Sequence, residues 1–333
     1  MNRALVRLLA AREAELRDQH GIEFRITGVA SRRIGWIADL NGLATHEVLS
    51  GNLSQESGAG NTSRTGVSAL QDHVRSWLET AQADVLFEAT SLNAQTGQPA
   101  IDHLQAALER GAHAITANKG PVVHAYDELT ALAARQGRRF LFESAVMDGV
   151  PIFSLFRDSL PLVQLHGFRG VLNSTTNVII GGMEQGLSFD ESLRRAQELG
   201  VAETDASDDI DGWDAAVKVA ALVRVLMGVK LDLREIQRSG IRGLSGDAIR
   251  AGRAEGRPYK LVCRARKTDN TVEASVAPEQ VPLGDPLALV EGTSSVVYFE
   301  TDIFPGLAII EDHPGLDATA YGMLADFIRA VTK

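Results

Sequence analysis

The densest chemistry in this chain lies between positions 203 and 218, where Glu203, Asp205, Asp208, Asp209, Asp211 and Asp214 precede a single lysine, Lys218. Asp214 and Lys218 are spaced i,i+4, so a helix places them on one face with the acid on the favourable N-terminal side. On a solvated surface such a pair is worth only about 0.3–0.5 kcal/mol. Here Lys218 is embedded in Ala215, Ala216, Val217, Val219, Ala220, Ala221 and Leu222, a helix apolar enough to be largely buried. A buried ammonium must be partnered or lose its proton. An aspartate one turn away can keep such a lysine charged and aimed into a cleft, where it can exchange a proton with a substrate oxygen. The acids upstream suit a substrate ammonium. A calcium loop starting at Ser207 would put Lys218 at the position of the bidentate glutamate, which rules that reading out.

Three further segments carry polar groups at element ends. Thr116-Ala117-Asn118-Lys119-Gly120-Pro121 closes an apolar run and opens a helix. The carboxyl ends of strands in open α/β sheets face the ligand crevice, so Lys119 is expected to point at whatever that half binds. Asn118 and Pro121 also satisfy ordinary turn and first-turn requirements. Glu143-Ser144-Ala145-Val146-Met147-Asp148-Gly149-Val150-Pro151 reads as a joint between domains. Its Gly149 and Pro151 are turn residues, and its carboxylate and free carbonyls could ligate a hard monovalent cation. Leu172-Asn173-Ser174-Thr175-Thr176-Asn177 ends a strand and caps a helix with hydroxyls and amides that could also reach a ligand.

Positioning these groups requires two kinds of domain. Apolar runs at 23–30, 84–88 and 112–117 alternate with helical stretches at 66–80, 100–110 and 123–135, followed by a short strand at 140–142. That alternation predicts βαβ units and a parallel sheet, giving a dinucleotide-binding domain over residues 1–145. The opening element, residues 2–17, reads as an amphipathic helix rather than the strand and G-x-G-x-x-G turn that start such a domain. Gly58-Ala59-Gly60 is a near miss, because Ser63 fills the third glycine position within a polar loop. After residue 146 the pattern becomes a helix, a strand at 163–171, helices at 175–185, 189–199 and 213–227, and strands at 260–266, 271–281 and 294–301. This predicts an α+β catalytic and dimerisation domain over 146–310. The last segment, 311–333, is expected to return a helix to the first domain. The predicted class is therefore α/β, an incomplete Rossmann-type parallel sheet beside a second α+β domain.

Composition narrows the function. The chain has 333 residues, 33 basic against 43 acidic for a net charge of −10, with 44% hydrophobic and 23% charged residues. That is ordinary globular composition, and its negative charge argues against a general nucleic-acid or anionic-membrane binder. No apolar run reaches the ~18 residues of a membrane helix. The mixed charges of the N-terminus do not read as a signal peptide, and the lone Cys263 suits a reducing compartment, so a cytoplasmic protein is expected.

Taken in order, these segments, together with Leu199-Gly200-Val201-Ala202-Glu203-Thr204-Asp205 and the run from Asp208 to Lys218, resemble the homoserine dehydrogenase family over nearly the whole chain. The resemblance implies NAD(P)H-dependent interconversion of L-aspartate 4-semialdehyde and L-homoserine, in threonine and methionine biosynthesis, by a homodimer. It makes Lys218 the proton donor and acceptor, Asp214 its orienting partner, and Lys119 a neighbour of both nicotinamide and substrate. Glu203 and Asp209 would bind the amino-acid end of the substrate, with Thr176 nearby. Glu143 and the backbone of Val146, Asp148 and Val150 match the family's monovalent-cation site, such as one for sodium, with Met147 standing where glycine is common. Thr90 and Asn93 resemble residues lining the cofactor site. Arg32 and Arg33 occupy the place where an acid would favour NAD, so NADP is the first expectation and NAD the second.

Two departures from the family pattern stand out. Its first strand and glycine turn are not in this sequence, from which Met1 is expected to be internal to a longer product by roughly ten residues, the length of a strand and turn. No appended regulatory domain follows residues 318–333, so threonine inhibition through one is not expected. The missing phosphate loop also motivates a different reading, an inactive paralogue or truncated product that only binds small molecules. Aspartate-semialdehyde dehydrogenase would need a cysteine nucleophile, and Cys263 lies in an alternating strand far from the lysine clusters.

Overall fold

A computed structural model describes residues 2–51, 53, 67–269 and 271–332, with the side chains of 67–72 left aside. Gly58-Ala59-Gly60 and its polar flanks therefore lie outside the described residues. The chain divides into two compact units, residues 1–149 with 316–333, and residues 150–315.

The first unit runs α1 (Asn2–Ala11), α2 (Glu13–His20), β1 (Gly28–Ser31), β2 (Gly35–Ala38), α3 (Thr45–Ser50), α4 (Val67–Ala81), β3 (Val85–Glu88), α5 (Ala100–Arg110), β4 (His113–Thr116), α6 (Lys119–His124), α7 (Tyr126–Arg135) and β5 (Phe140–Leu141). Strands β3, β4 and β5 form a parallel sheet in that order, each joined to the next through helices, as the alternation predicted. Leu78, Leu104, Leu108 and Ile115 are fully buried in this unit.

The apolar run at 23–30 does not join that sheet. Only Gly28–Ser31 is a strand, and it pairs antiparallel with Gly35–Ala38 as a separate hairpin. The cause is local: Ser31 Oγ accepts from the backbone N–H groups of Arg33 and Ile34 at 3.3 and 3.2 Å, and Gly35 takes φ +76°, which closes a tight turn that few other residues tolerate. Two expected single helices are also split, at Arg12 and at Ala125, whose φ values of −107° and −136° leave the helical range.

The second unit contains β6 (Leu165–Val171), α8 (Ser174–Glu184), α9 (Phe189–Glu198), α10 (Ser207–Ile210), α11 (Trp213–Leu222), β7 (Gln237–Arg238), α12 (Gly246–Ala254), β8 (Tyr259–Lys267), β9 (Val272–Gln280), β10 (Ser295–Thr301) and β11 (Leu307–Glu311). Its sheet has the order β11-β10-β6-β8-β9-β7, antiparallel except for the short β7–β9 pair. The helix expected after residue 146 is short, starting at residue 153 and π-helical over Leu155–Ser159, because Gly149 and Pro151 delay its start; a separate 3-10 turn at Glu143–Ala145 precedes it. Helix α11 is buried along almost its whole length and passes into a π-helical turn, Val223–Met227, that ends at Gly228 in the left-handed region.

The chain then returns to the first unit as α13 (Leu316–Val331). Met323, Leu324 and Phe327 pack there with Leu5 and Leu9 of α1 and with Ile115 and Leu141. Any side chain at Gly149 would collide with the carbonyl of Ala318, so the joint needs glycine for close approach to α13. Among the described residues no helix is long and apolar enough to cross a membrane.

Candidate active site

In the second unit, the end of β6 and the start of α8 meet the acid-rich segment. Lys218 projects from α11 with 17% of its side chain exposed, and its Nζ lies 3.2 Å from Asp214 Oδ2. The same ammonium donates to the carbonyl of Leu172 at 2.5 Å. The buried helix thus ends its one cationic side chain on its own Asp214 carboxylate and a strand-end carbonyl, the pairing an ammonium needs once water is withdrawn.

Asn173, the residue after Leu172, ties the remaining groups together. Its side-chain Nδ2 donates to Asp209 Oδ1 at 2.6 Å and to Asp214 Oδ2 at 3.1 Å. Its Oδ1 accepts from the Thr176 backbone N–H at 2.9 Å, capping α8, and from Thr176 Oγ1 at 2.9 Å. One amide therefore spends both ends, holding two carboxylates on one side and a helix start on the other. Burial, and then the nearby charge of Asp214, push the Asp209 carboxyl above its ordinary range, against the pull of Asn173 and Lys218. Asp209 and Asp214 against Lys218 leave one formal negative charge, which suits a cationic substrate group.

Asp209, Asp214, Lys218 and Thr176 are thus brought together. Glu203 is exposed in the turn before α10, and no described hydrogen bond ties its carboxylate to that group; its carbonyl accepts from Gln197. Asn173 was read from sequence only as part of a capping segment. Its signal was present, an amide at the junction of a strand and a helix, but its two carboxylate partners lie 36 and 41 residues away.

The turn bearing Asp209 is braced from behind. Arg242 Nε is 2.5 Å from Asp211 Oδ1, and the Arg238 guanidinium lies 3.7 Å over the Trp213 ring while donating to the Asp211 carbonyl. Cys263 is fully buried, and burial pushes its thiol up to about 12. It stays protonated near neutrality and is no nucleophile, which removes the cysteine-dependent alternative.

In the first unit, the carboxyl ends of β3 and β4 carry a linked polar set. Glu88, 3% exposed, accepts from the Thr90 backbone N–H at 2.7 Å, from Thr90 Oγ1 at 2.5 Å and from Thr116 Oγ1 at 2.6 Å. Asn118 donates to the Thr90 carbonyl at 3.1 Å and accepts from the Gly120 N–H at 2.9 Å. These bonds fix the strand ends from which Lys119 departs at the first position of α6. Asn93 Oδ1 receives the N–H groups of Gln95 and Thr96, both at 3.1 Å, so its side chain shapes the loop that follows Thr90. Glu88 was read only as the end of a strand, although a carboxylate finishing an apolar run is itself a signal.

A cavity of about 1,920 Å³ in this unit is lined by residues 84–91, by the β1–β2 hairpin with Arg32 and Arg33 at its exposed turn, and by Trp36, Pro99 and His103. Trp36 meets Trp77 and His103 edge to face at centroid distances of 5.4 and 5.9 Å. Its cationic, aromatic and hydroxyl lining fits an extended ligand with phosphates and flat rings, as a nicotinamide dinucleotide is.

The joint segment departs from a simple cation shell. The Glu143 carboxylate, 2% exposed, lies 3.3 Å from Arg329 Nη1, and its backbone N–H donates to Asp326 Oδ2 at 2.7 Å. Arg329 also reaches Asp326 Oδ1 at 3.3 Å. Asp148 accepts from Thr319 Oγ1 at 2.5 Å, and Val146 is buried. Met147 and Asp148 hold φ values of 52° and 49°, the left-handed region that favours glycine. Among the described residues no three His, Cys, Asp or Glu side chains converge as a metal site.

A dinucleotide-type βαβ unit beside an α+β unit that buries an aspartate-partnered lysine is the architecture of a nicotinamide-dependent oxidoreductase, and the relatives below make it one acting on a CH–OH group. Comparison with known proteins narrows this. The family model described as homoserine dehydrogenase matches residues 151–328, and that described as homoserine dehydrogenase, NAD binding domain, matches residues 3–143. The chain is 34% identical to an NAD(+)-dependent homoserine dehydrogenase of Pseudomonas canavaninivorans, over 99% of this chain and 93% of the relative. It is 35% identical to a homoserine dehydrogenase of Methanocaldococcus jannaschii, over 76% and 74%. The crystal structure of a homoserine dehydrogenase from Thiobacillus denitrificans superposes with a TM-score of 0.79 at 27% identity, over 98% of this chain and 70% of that one. The chain belongs to the homoserine dehydrogenase family.

Proposed function

We propose that this chain catalyses the reversible reduction of L-aspartate 4-semialdehyde to L-homoserine, with Lys218 as the acid–base group. The observation that carries this reading is the Lys218 ammonium held at once by Asp214 and by the Leu172 carbonyl. The nicotinamide cofactor supplies the hydride when bound. The chain's own part is to deliver a proton to the aldehyde oxygen, or to remove it from the alcohol, as charge changes at that atom. Lys218 does this, Asp214 orients it, and Lys119 contributes positive charge near the reacting end. Asp209, Thr176 and Glu203 receive the amino-acid end of the substrate, supported by the net negative charge of the Asp209–Asp214–Lys218 group.

The cofactor lies along the cavity of the first unit, with Thr90 and Asn93 beside it and Arg32 and Arg33 on a 2′-phosphate. NADP is the first choice, on the two arginines. NAD is the second, favoured by the NAD(+)-dependent relative. A monovalent cation such as sodium at Glu143 and the carbonyls of Val146, Asp148 and Val150 would offset carboxylate charge that Glu143 and Asp326 concentrate in the interior. The protein is proposed to be cytoplasmic and homodimeric; in the second unit Ile303, Phe304 and Ile310 are exposed, as a buried interface between copies would use.

The test is the oxidation of NADPH and of NADH by this chain with L-aspartate 4-semialdehyde, and the reverse reaction with L-homoserine. Substrate-dependent turnover supports the reading. Cofactor and substrate binding without turnover would favour the small-molecule binder and overturn it.

A further inference from the structure

Outside the groups just described, the second unit buries one more ammonium. Lys260 stands within β8 with only 4% of its surface exposed. Its Nζ donates to Asn177 Oδ1 at 2.9 Å and to the Val290 carbonyl at 2.6 Å. Asn177 in turn donates to the Gly292 carbonyl at 3.0 Å, and Ser174 Oγ donates to the Thr293 carbonyl at 3.0 Å. The first turn of α8 is thus gripped by a strand lysine and by the loop at 290–293. Asn173, which caps that turn and lies one turn before Asn177, holds Asp209 and Asp214.

Packing alone does not account for this lysine. An apolar side chain of similar volume at such a site is generally as stable as a buried charge or more so. The charged groups about Lys260 are Glu184 and Glu291, which favour its protonated form, and Arg253, which opposes it. Glu184 sits two turns beyond Asn177 on α8, and its buried Oε1 has no hydrogen-bond partner among the described residues. Burial lowers the Lys260 pKa and raises that of Glu184, so the cluster is costly, and its direct product is the fixed rotation and depth of α8.

We propose that Lys260 is a positioning residue which, through Asn177, fixes the first turn of α8 and so holds the Asn173 amide against Asp209 and Asp214. Its consequence for turnover rests on the reaction proposed above; the strut itself does not. Loss of the strut lets Asn173 drift from Asp209, and the carboxylate then loses a hydrogen bond that favours its charged form.

The test is a ¹³C titration of the Asp209 carboxyl in aspartate-labelled protein, assigned through Asp209→Asn, with thermal unfolding and steady-state kinetics measured alongside. In Lys260→Met the Asp209 midpoint is expected to rise by roughly half a pH unit, the worth of one weakened hydrogen bond. Asn177→Ser should reproduce the shift, and the double variant should add nothing, because both residues act along one path. Catalytic efficiency on homoserine should fall roughly tenfold with the cofactor KM unchanged. An unmoved Asp209 midpoint in both single variants, with only a lower Tm, would overturn the proposal; if Lys260→Met does not fold, Asn177→Ser decides. An inactive wild-type chain whose Asp209 midpoint still responds to Lys260→Met would refute the reaction and leave the strut standing.

Discussion

Asn173 Nδ2 lies 3.1 Å from Asp214 Oδ2, the same oxygen that stands 3.2 Å from the Lys218 ammonium. One carboxylate oxygen therefore receives both the Lys218 ammonium and the amide that reaches across to Asp209 at 2.6 Å. Lys218 and Asp209, proposed above as the acid–base and substrate-binding groups, are thus linked through Asp214 and the neutral Asn173 amide.

Replacing the lysine tests the centre of this arrangement. Lys218→Ala should lower kcat by about 10²- to 10⁴-fold, the usual worth of a positioned acid–base group. Circular dichroism should still report a folded chain, with a lowered Tm, because Asp214, whose side chain is only 18% exposed, loses its ammonium partner. Steady-state rates with homoserine decide this, and a kcat within threefold of wild type would remove Lys218 from the chemistry.

Asp209 gives the pH dependence a sign. Its folded pKa is raised, first by burial and then by Asp214, so only between the unfolded and the folded pKa does the native state keep a proton that the unfolded chain releases. Its contribution to stability is present below the unfolded carboxylate pKa and is lost as pH rises through the folded one. Asp209→Asn should therefore raise Tm relative to wild type at pH 7 and make no such difference at pH 3, while the KM for homoserine rises. Melting curves across that range that stay parallel would contradict the assignment.

Cofactor choice is read from the hairpin turn. If Arg32 and Arg33 meet a 2′-phosphate, the double change to alanine should raise the KM for NADPH about tenfold or more and leave that for NADH nearly unchanged, since each charge-assisted bond to phosphate is worth roughly 1.5–3 kcal/mol. Equal effects on both cofactors would place the arginines elsewhere.

Arg329 supports the joint from the far end of the chain. Arg329→Met leaves the buried Glu143 and Asp326 carboxylates without that guanidinium, and should cost about 3 kcal/mol at pH 7. Urea unfolding at pH 7 measures the loss, and a change below about 1 kcal/mol would sink the explanation.

What the sequence determined by itself was whatever depends on neighbours within a turn or two. Asp214 and Lys218 on one face of α11, the caps at Asn118 and Asn173 and the alternation behind β3, β4 and β5 all follow from short-range spacing. Whether the run at 23–30 would enter the parallel sheet was not such a property. A hairpin of two four-residue strands, closed between Ser31 and Gly35, wins locally, and apolar content alone does not distinguish the two outcomes. Only the tertiary structure decided that Asn173 bridges two carboxylates 36 and 41 residues away, that Arg329 answers Glu143 across 186 residues, and that Lys260 reaches Asn177 across 83. Each is a polar group whose burial is tolerated only with a partner, and the partner is chosen by how strands and helices stack in three dimensions, a choice that leaves no period in the sequence.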